Sequence, residues 1–481
     1  MLIHHVARRW LRPLLGPAAG HVNARIPPSV KVGRDFWSGR RLLQESRAWS
    51  ADQVYAWQLE RLRHVLEHAA AHVPGYSRLF REAGVDPHGI RSLDRLSQFP
   101  LTTKETFRDA LLDFTSTGPP RVGRMYVTTG GSTAVPFGFH QHKALFDIDA
   151  AFVVEAWGLA RFRWGDRVGV LRGSFVGTPQ APFRRYNESL YRGLELSTYY
   201  LTPESYPRYR DALRAFRPTA LHVYPSAGHV FATLVAEAGD EGGFPGVRSI
   251  LTASENLYPW QVQSLRRAFP EARIFDLYSN AEKAVFTSWC EHEDVHHAWP
   301  LYGILEVIDP STGREVEEGH VGEVVATSFW NLATPFVRYR TADMARVGAS
   351  RCSSCGRPWK TLTRIEGRLQ ELVVTGDGRF ISMTALNMHN DLFDHVRQFQ
   401  FAQREAGRLE LRLAPKASFT STHRERIQRE IEAKLGTAMK LEIAIVEEIQ
   451  RTRAGKLRFL EQHLPIRFDG GPVDDEHGSR P

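Results

Sequence analysis

Short runs of β-branched residues alternate with helical segments along the central part of the chain, from about Met125 to Val347. The runs are RVGVLRG, ALHVYPS, RSILTAS and RIFDLYS, and the intervening helical segments include PESYPRYRDALRAF and PWQVQSLRRAF. Because crossovers of this length connect parallel neighbours, the pattern predicts parallel-rich sheets flanked by helices. Two more runs, GILEVIDP and GEVVATSF, flank a turn at STGRE and predict a β-ribbon. The expected fold class is therefore α/β.

The two ends of the chain have a different organisation. Near the start, SADQVYAWQLERLRHVLEHAAAHVP has an N-cap at Ser50 and apolar residues at helical spacing before Pro74, which predicts a long amphipathic helix. FPLTTKETFRDA then predicts a strand end, a threonine-rich cap and a second helix. After GRLQE, the segments FQFAQREAGRLELRLAP, HRERIQREIEAKLG and KLEIAIVEEI predict a hairpin, a helix and a strand.

These patterns divide the chain at GRLQE into a large N-terminal domain, residues 1–367, and a small C-terminal α+β domain, residues 368–468. Residues 469–481 are poor in apolar side chains, so they predict a disordered tail. Residues 1–34 are expected to form a loosely packed arm. Its short basic sequence MLIHHVARRWLRPLLG leaves contact with an anionic membrane surface as an alternative.

Composition excludes several classes of protein. The 481 residues are 42% hydrophobic and 24% charged, which is typical of a soluble globular protein of two or three domains. No segment has the apolar length of a membrane span, and no export signal follows the first methionine, so a cytoplasmic location is expected. The net charge of +8 is spread over scattered arginines, which disfavours a nucleic-acid partner and suits a phosphorylated small molecule.

All three cysteines lie in two short segments, CEHEDVHH and CSSCG. Thiolate and imidazole are preferred zinc ligands, and Cys-x-x-Cys-Gly is typical of a metal-binding knuckle. A closed tetrahedral site leaves no position for water, so the zinc would be structural. Ordinary loop thiols and a disulfide within CSSCG are the alternatives, and a reducing cytosol disfavours the disulfide. The expected ligands are Cys290, Cys352, Cys355 and His297, with His296 as the alternative to His297.

The segment YVTTGGSTAVPFGF places two glycines and four hydroxyl residues directly after a strand-like YV. Glycines allow backbone amides to approach phosphate oxygens, and hydroxyl groups add donors. The segment lacks the Gly-Lys-Thr ending of a Walker loop. Taken alone, it is therefore as consistent with an ordinary threonine-rich turn as with a phosphate-binding loop.

Four more motifs follow that loop in order: YSNAEK, RYRTAD, GRLQE and RTRAGKLRF. The ordered set resembles the core motifs of the adenylate-forming superfamily. YPSA, SEN and CSSCG extend the resemblance to its phenylacetate-CoA ligase and CapK-type branch, from about residue 35 to 464. The resemblance implies a large adenylation domain and a small mobile C-terminal lid domain that turns about a hinge.

The resemblance also implies a role for individual residues. Asp343 would bind the ribose hydroxyls, Glu282 would help to hold magnesium, and Arg368 would add charge beside the ribose and phosphate. Gln370 would be the hinge. The loop over the ATP phosphates would comprise Thr128, Thr129, Gly130, Gly131, Ser132 and Thr133. The purine site would comprise Ser254, Glu255, Asn256, Tyr278 and Ser279.

Lys456 in RTRAGKLRF matches the adenylation lysine of the superfamily. Attack of a carboxylate on the α-phosphate brings two anions together, so a cation is needed at both. A solvated surface lysine is the alternative interpretation. Ala134, Ser279 and Ala342 replace glycines of the family motifs, which is tolerable where the backbone does not need a positive φ.

The resemblance implies an ATP- and magnesium-dependent ligase that activates a carboxylic acid as acyl-AMP and transfers the acyl group to coenzyme A. Transfer to an amine in surface-polysaccharide (capsular) biosynthesis is the first alternative. The others are an enzyme that stops at adenylylation and a non-catalytic, zinc-stabilised nucleotide-binding protein. The acid is not encoded in any motif, and the oligomeric state stays open, a homodimer included.

Overall fold

The computed structural model describes residues 28–119, 123–128, 137–174, 176–255, 257, 259–365, 372–377, 380–382, 391–393, 395–449 and 460–464. Several predicted features therefore lie outside the described residues. These are the first 27 residues of the arm, the tail, the loop from Thr129 to Ala134, and Asn256, Arg368, Gln370 and Lys456.

Within the described residues, four helices precede the sheets. They are α1 (Arg34–Ser46), α2 (Ala51–His72), α3 (Pro74–Glu82) and α4 (Lys104–Asp109), with 3-10 turns at Pro28–Val30 and Leu93–Gln98. The long predicted helix is α2, and Ser50 caps it in a reciprocal pair of hydrogen bonds with Gln53. Such a cap contributes about 1 kcal/mol. Thr103 caps α4 in the same way, as the threonine-rich segment predicted.

One 12-stranded sheet forms the centre of the large domain, in the order β11-β12-β13-β14-β10-β9-β8-β7-β6-β3-β5-β4. Its strands are β3 (Arg167–Leu171), β4 (Phe183–Asn187), β5 (Arg192–Leu196), β6 (Ala220–Val223), β7 (Ser249–Ala253), β8 (Arg273–Ser279), β9 (Phe286–Trp289), β10 (His296–Ala298), β11 (Gly303–Ile308), β12 (Val321–Ser328), β13 (Tyr339–Val347) and β14 (Thr361–Ile365). A separate hairpin pairs β1 (Arg124–Thr128) with β2 (Gly138–His142).

The four predicted strands β3, β6, β7 and β8 lie side by side and pair in parallel. Beyond β8 the sheet continues through β9, β10, β14, β13, β12 and β11, and each pair of neighbours there is antiparallel. The predicted ribbon is the β11–β12 pair. Helices cover the parallel half because its strands are apolar on both faces. They are α5 (Lys143–Leu159), α6 (Tyr206–Phe216), α7 (Pro225–Glu237) and α8 (Pro259–Ala268).

Two hydrophobic clusters hold the large domain together. The first packs α1 and α5 against the parallel strands, and Phe36, Phe152 and Phe275 are fully buried in it. The second joins α2 and the β1–β2 hairpin to the antiparallel half, around Phe107 and Tyr339. The hairpin that leads into the expected phosphate loop is thus packed against the strand that carries the RYRTAD motif.

The C-terminal part contains its own sheet in the order β19-β18-β17-β20. The hairpin, helix and strand predicted there correspond to β17 (Val396–Gln403), β18 (Arg408–Pro415), α9 (Ser421–Leu435) and β19 (Lys440–Ile445), followed by β20 (Leu460–Gln462). A short hairpin of β15 (Leu372–Val374) and β16 (Phe380–Ser382) precedes them, with a 3-10 turn at Asp391–Phe393. A third cluster, which includes Ile427 and Ile431, forms its core. Across the described residues, no helix combines the length and hydrophobicity needed to cross a bilayer.

Candidate active site and metal centre

Residues of two predicted motifs, YSNAEK and RYRTAD, come together where β8 ends. Tyr278 lies on β8 and Asp343 on β13, and the Tyr278 hydroxyl donates to Asp343 Oδ2 at 2.9 Å. Burial, followed by the nearby Asp343 charge, raises the pKa of Tyr278 well above its usual range. The hydroxyl therefore remains protonated and holds the carboxylate, which can accept hydrogen bonds from a neighbouring diol.

Glu282 lies in the turn after β8 and is buried. Its Oε1 accepts a hydrogen bond of 2.7 Å from the hydroxyl of Tyr339, the first residue of β13. A buried carboxylate held by one neutral donor keeps acceptor capacity for a hard cation such as Mg²⁺. The two carboxylates expected in the nucleotide site, Glu282 and Asp343, each accept a hydrogen bond from a tyrosine.

The sequence patterns did not predict the network that fixes Glu282. The next residue, Lys283, has a positive φ of 57° and is buried, and its Nζ lies 2.6 Å from Asp149 Oδ2 on α5. Tyr302 donates to the other oxygen of Asp149 at 2.7 Å. Burial alone would raise the pKa of Asp149, but the ammonium of Lys283 outweighs this and lowers it. The pair is therefore ionised and secures the turn.

Thr128 is the part of the expected phosphate loop that the structure describes. It ends β1 opposite Gly138, and its buried hydroxyl has no hydrogen-bond partner within the described residues. Gln141 of β2 donates to the carbonyl of Ala281 at 2.7 Å, so the hairpin is tied to the YSNAEK segment. The Asn280 amide nitrogen is likewise buried without a described partner. Unsatisfied donors at such a place suit a polar ligand such as a nucleotide phosphate.

Ser254 and Glu255 follow β7, at the same edge of the sheet as Tyr278. Ser254 has a φ of 73°, which is uncommon for a residue with a side chain. Strain of this kind concentrates at ligand sites. Ser279, where many relatives of the implied family have glycine, is not among the residues with positive φ in the described part of the chain.

Alanine can replace a motif glycine where the backbone does not need a positive φ, and position 342 does not meet this condition. Ala342 has a φ of 62°, the left-handed conformation that glycine adopts at no steric cost. Its amide donates to Glu323 Oε1 at 3.0 Å, which holds the backbone in this conformation. The strained residue, Ala342, directly precedes Asp343 in the chain.

We expect Ala342→Gly to stabilise the protein by up to about 1 kcal/mol. A left-handed conformation costs an L-residue about 1 to 2 kcal/mol, which glycine avoids. Glycine also makes the unfolded chain more flexible, and this offsets part of the gain in stability. Urea denaturation would measure the difference. Ala345→Gly on the same strand is the matched control, since Ala345 is buried and has no positive φ, and it should destabilise. Destabilisation by both changes would contradict the strain assigned to Ala342.

The four predicted metal ligands also come together. One ligand atom each from Cys290, His297, Cys352 and Cys355 lies within 4.8 Å of the others. The sulfurs of Cys290 and Cys352 are 3.9 Å apart, and Cys355 Sγ is 3.7 Å from His297 Nε2. A tetrahedral zinc ion with bonds of about 2.3 Å to sulfur and about 2.0 Å to nitrogen separates its ligand atoms by roughly 3.5 to 3.8 Å. The set fits zinc.

The alternative ligand, His296, is occupied elsewhere. Adjacent residues of a strand point to opposite faces, and on β10 the side chain of His296 lies toward Thr287 and Asp276. Its Nδ1 is 3.0 Å from Thr287 Oγ1. Burial, followed by the charge of Arg357, lowers the pKa of His297 to about 4. His297 is therefore the neutral imidazole that a metal requires.

A salt bridge joins the same two segments beside the cysteines. Nη1 and Nη2 of the Arg357 guanidinium donate to the Glu291 carboxylate, at 2.5 Å to Oε2 and 2.7 Å to Oε1 respectively. Glu291 follows Cys290, and Arg357 follows the CSSCG segment. The bidentate pair and the four-ligand cluster thus fasten the turn after β9 to the loop before β14 at two points.

An α/β sheet with its carboxylates, tyrosines and hairpin gathered beside the end of β8 is the architecture of an AMP-forming acid ligase. Two family models support this class. The model described as "AMP-binding enzyme" matches residues 189–332, and the model described as "CapK C-terminal domain" matches residues 373–463. The chain belongs to the phenylacetate-CoA ligase branch of these adenylate-forming enzymes, as the sequence motifs predicted.

Individual relatives support this assignment. Phenylacetate-coenzyme A ligase of Aromatoleum evansii is 30% identical over 344 residues, which cover 68% of this chain and 72% of that protein. The Thermus thermophilus enzyme of the same name is 27% identical over 446 residues, covering 85% and 96%. Protein CapK of Staphylococcus aureus is 21% identical over 430 residues, covering 86% and 90%. A 2-hydroxyisobutyryl-CoA ligase structure with 2-HIB-AMP and CoA shares the fold, with a TM-score of 0.59, 21% identity and coverage of 86% and 91%.

Proposed function

We propose that this protein is an ATP-dependent ligase that activates a carboxylic acid as acyl-AMP and transfers the acyl group to coenzyme A. The observation that carries the proposal is the joint placement of Tyr278, Glu282 and Asp343 near the end of β8, where the two separate motifs YSNAEK and RYRTAD meet. A nucleotide site requires polar side chains from separate motifs to lie at one place, whereas a structural core does not.

In the proposed mechanism, each residue acts on a different part of the nucleotide. Asp343 accepts hydrogen bonds from the ribose hydroxyls, and the ring of Tyr278 packs against the purine. Thr128 donates its hydroxyl to the phosphates, and Glu282 helps to hold Mg²⁺, which neutralises phosphate charge when bound. Lys456 and Arg368, both outside the described residues, supply the cations for the attack of the carboxylate on the α-phosphorus.

We further propose that Cys290, His297, Cys352 and Cys355 hold a structural zinc ion. All four coordination positions are filled by protein atoms, so the site supplies no water for chemistry. A cytoplasmic location would keep the three thiols reduced and available as ligands. The zinc then fastens two loops of the large sheet and takes no part in the reaction.

Transfer to an amine is the second candidate for the last step. The match of residues 373–463 to the CapK C-terminal domain favours it, because this domain follows the hinge and would face the acceptor. The first half-reaction is the same for both acceptors. Supplying coenzyme A or amino sugars to the preformed acyl-AMP, and measuring which one releases AMP, separates the two.

Pyrophosphate exchange tests the proposal. With ATP, Mg²⁺ and a panel of carboxylic acids, labelled pyrophosphate should enter ATP only when an acid is present, because acyl-AMP formation is reversible. A nucleotide-binding scaffold would bind ATP without exchange. Acid-independent exchange, or none with any acid, would contradict the function.

We expect Asp343→Ala to weaken ATP binding by about 1.5 to 3 kcal/mol per hydrogen bond lost, since bonds to the ribose exist in the ground and transition states alike. Isothermal titration calorimetry measures this change. Tyr278→Phe is the matched control, because it removes the hydroxyl that holds Asp343 and keeps the aromatic ring. It should weaken binding less. Unchanged ATP affinity in Asp343→Ala would show that the RYRTAD assignment is wrong.

A further inference from the structure

Lys283 places a buried positive charge directly after Glu282, the carboxylate expected to help hold Mg²⁺. The residue is 9% exposed, and its carbonyl accepts a hydrogen bond of 2.9 Å from the hydroxyl of Ser328 at the end of β12. Consecutive Cα atoms are about 3.8 Å apart, and the flexible four-carbon stem of a lysine is long enough to reach a neighbouring carboxylate. An ammonium group beside Glu282 would compete with Mg²⁺.

Asp149 holds the Lys283 charge at another place. Its Oδ2 lies 2.6 Å from Lys283 Nζ, and its Oδ1 accepts a hydrogen bond of 2.7 Å from the Tyr302 hydroxyl. Asp149 belongs to α5 and is 5% exposed. Because the effective dielectric constant is low in such a buried position, the carboxylate attracts the ammonium far more strongly than it would in water. The Lys283 side chain is therefore directed toward α5.

Glu282 has a neutral partner instead. Its Oε1 accepts a hydrogen bond of 2.7 Å from the Tyr339 hydroxyl, and in the described part of the chain Lys283 forms its ion pair with Asp149 and not with Glu282. Two oppositely charged residues that are adjacent in sequence thus have separate partners. The Glu282 carboxylate keeps its negative charge free of a protein cation, as the binding of a hard metal ion requires.

The turn that carries Glu282 is also held by bonds that do not involve this ion pair. Asn280 Oδ1 accepts hydrogen bonds from the amides of Ala284 at 3.0 Å and Val285 at 3.3 Å. Gln141 Nε2 donates to the carbonyl of Ala281 at 2.7 Å. These bonds fix the backbone on both sides of Glu282. The loss of the ion pair should therefore change the charge near Glu282 more than the path of the chain.

We propose that Asp149 is a positioning residue that keeps the Lys283 ammonium away from Glu282 and so leaves Glu282 available to Mg²⁺. The inference rests on the proposed function and deepens it, because Asp149 would set the Mg²⁺ requirement through Lys283 and not by binding the ion. It makes the two members of the pair unequal. Loss of Asp149 leaves an ammonium without its partner, whereas loss of Lys283 leaves no competing cation.

Two substitutions that break the same pair test the inference, Asp149→Asn and Lys283→Met. Calorimetry gives the ATP affinity of each variant without Mg²⁺ and across a Mg²⁺ titration, and pyrophosphate exchange gives the rate over the same range. Asp149→Asn should raise the half-saturating Mg²⁺ concentration by roughly 10-fold or more, because a nearby cation strongly opposes binding of a divalent ion. Saturating Mg²⁺ should restore its exchange rate, and its ATP affinity without Mg²⁺ should not change. Lys283→Met should not raise the half-saturating concentration.

Three further variants serve as controls. Asp149→Asn/Lys283→Met removes both charges and should return the Mg²⁺ dependence to the wild-type range. Glu282→Gln should raise the half-saturating Mg²⁺ concentration by itself. Glu155→Gln is the matched control, because Glu155 is a second buried carboxylate of α5 and accepts a hydrogen bond of 2.7 Å from Arg47 Nε. It should leave the Mg²⁺ dependence unchanged.

A pair with a merely structural role would give Asp149→Asn and Lys283→Met the same effect, and the lost rate would not return at saturating Mg²⁺. Either result would overturn the inference, as would an unchanged Mg²⁺ dependence in Asp149→Asn or in Glu282→Gln. If no acid supports exchange, the proposed function fails, and the calorimetric Mg²⁺ titration still decides the role of Asp149.

A milder variant covers the loss of stability that breaking a buried ion pair causes. Tyr302→Phe removes one hydrogen bond to Asp149 and keeps the aromatic ring. It should raise the half-saturating Mg²⁺ concentration by about twofold or more, since one hydrogen bond no longer holds the carboxylate. The increase should disappear when Lys283→Met is added. An unchanged Mg²⁺ dependence in Tyr302→Phe, with Asp149→Asn unable to fold, would count against the inference.

Discussion

Lys456→Ala is expected to slow acyl-adenylate formation by about two to three orders of magnitude, the range found when one group that stabilises transition-state charge is removed. The reaction joins a carboxylate to a triphosphate and builds negative charge at the α-phosphorus. A single ammonium placed between these anions offsets their repulsion only at the moment of reaction. The loss should therefore fall on the rate and not on ATP affinity.

Pyrophosphate exchange gives the rate, and calorimetry gives the ATP affinity of the same variant. Lys440→Ala is the control, because Lys440 is a lysine of the same C-terminal part that pairs with Glu442 on β19. It should exchange pyrophosphate normally. Normal exchange by Lys456→Ala as well would remove this lysine from the mechanism, whereas a large loss of ATP affinity would assign it to binding.

Cys352→Ser is expected to release about one zinc ion per chain and to lower the free energy of unfolding by several kcal/mol, because the binding energy of a structural metal is folding energy. Cys352 is buried, and its sulfur approaches both Cys290 and Glu293. The Glu291–Arg357 pair would still join the two loops, so the protein should remain folded at low temperature.

Metal analysis of protein purified without a histidine tag, followed by chemical denaturation, measures both effects. Ser353→Ala is the matched control within the same knuckle, since Ser353 is exposed and is not a ligand. It should retain the metal and the stability. Wild-type protein without zinc, or with three readily alkylated thiols, would contradict the site.

The sequence predicted the elements whose determinants are local. Ser50 with Gln53 defines the start of α2, and the short apolar runs define β3, β6, β7 and β8. Motif order then placed Tyr278, Glu282 and Asp343 in one site. The sequence could not predict that the ribbon and the parallel strands join into one sheet. The connecting strands β9 and β10 are only four and three residues long, and β10 pairs with the distant β14, His296 opposite Leu362.

Contacts between distant residues explain the other omissions. Asp149 and Lys283 are 134 positions apart, and neither has a local pattern that marks it as buried and paired. Whether His296 or His297 faces the cysteines depends on the register of β10, which alternates its side chains between two faces. The left-handed backbone of Ala342 is likewise a property of the folded strand and its bond to Glu323.

Transfer of ¹⁸O from the acid to AMP tests the central claim most directly. A carboxylate labelled at both oxygens, and known to support pyrophosphate exchange, would be incubated with ATP, Mg²⁺, the enzyme and coenzyme A, with hydroxylamine as a second acceptor. Attack on the α-phosphorus followed by cleavage of the acyl–oxygen bond leaves one labelled oxygen on AMP. We predict one ¹⁸O per AMP and none in pyrophosphate. Unlabelled AMP, or ADP with the label in inorganic phosphate, would contradict an acyl-adenylate intermediate.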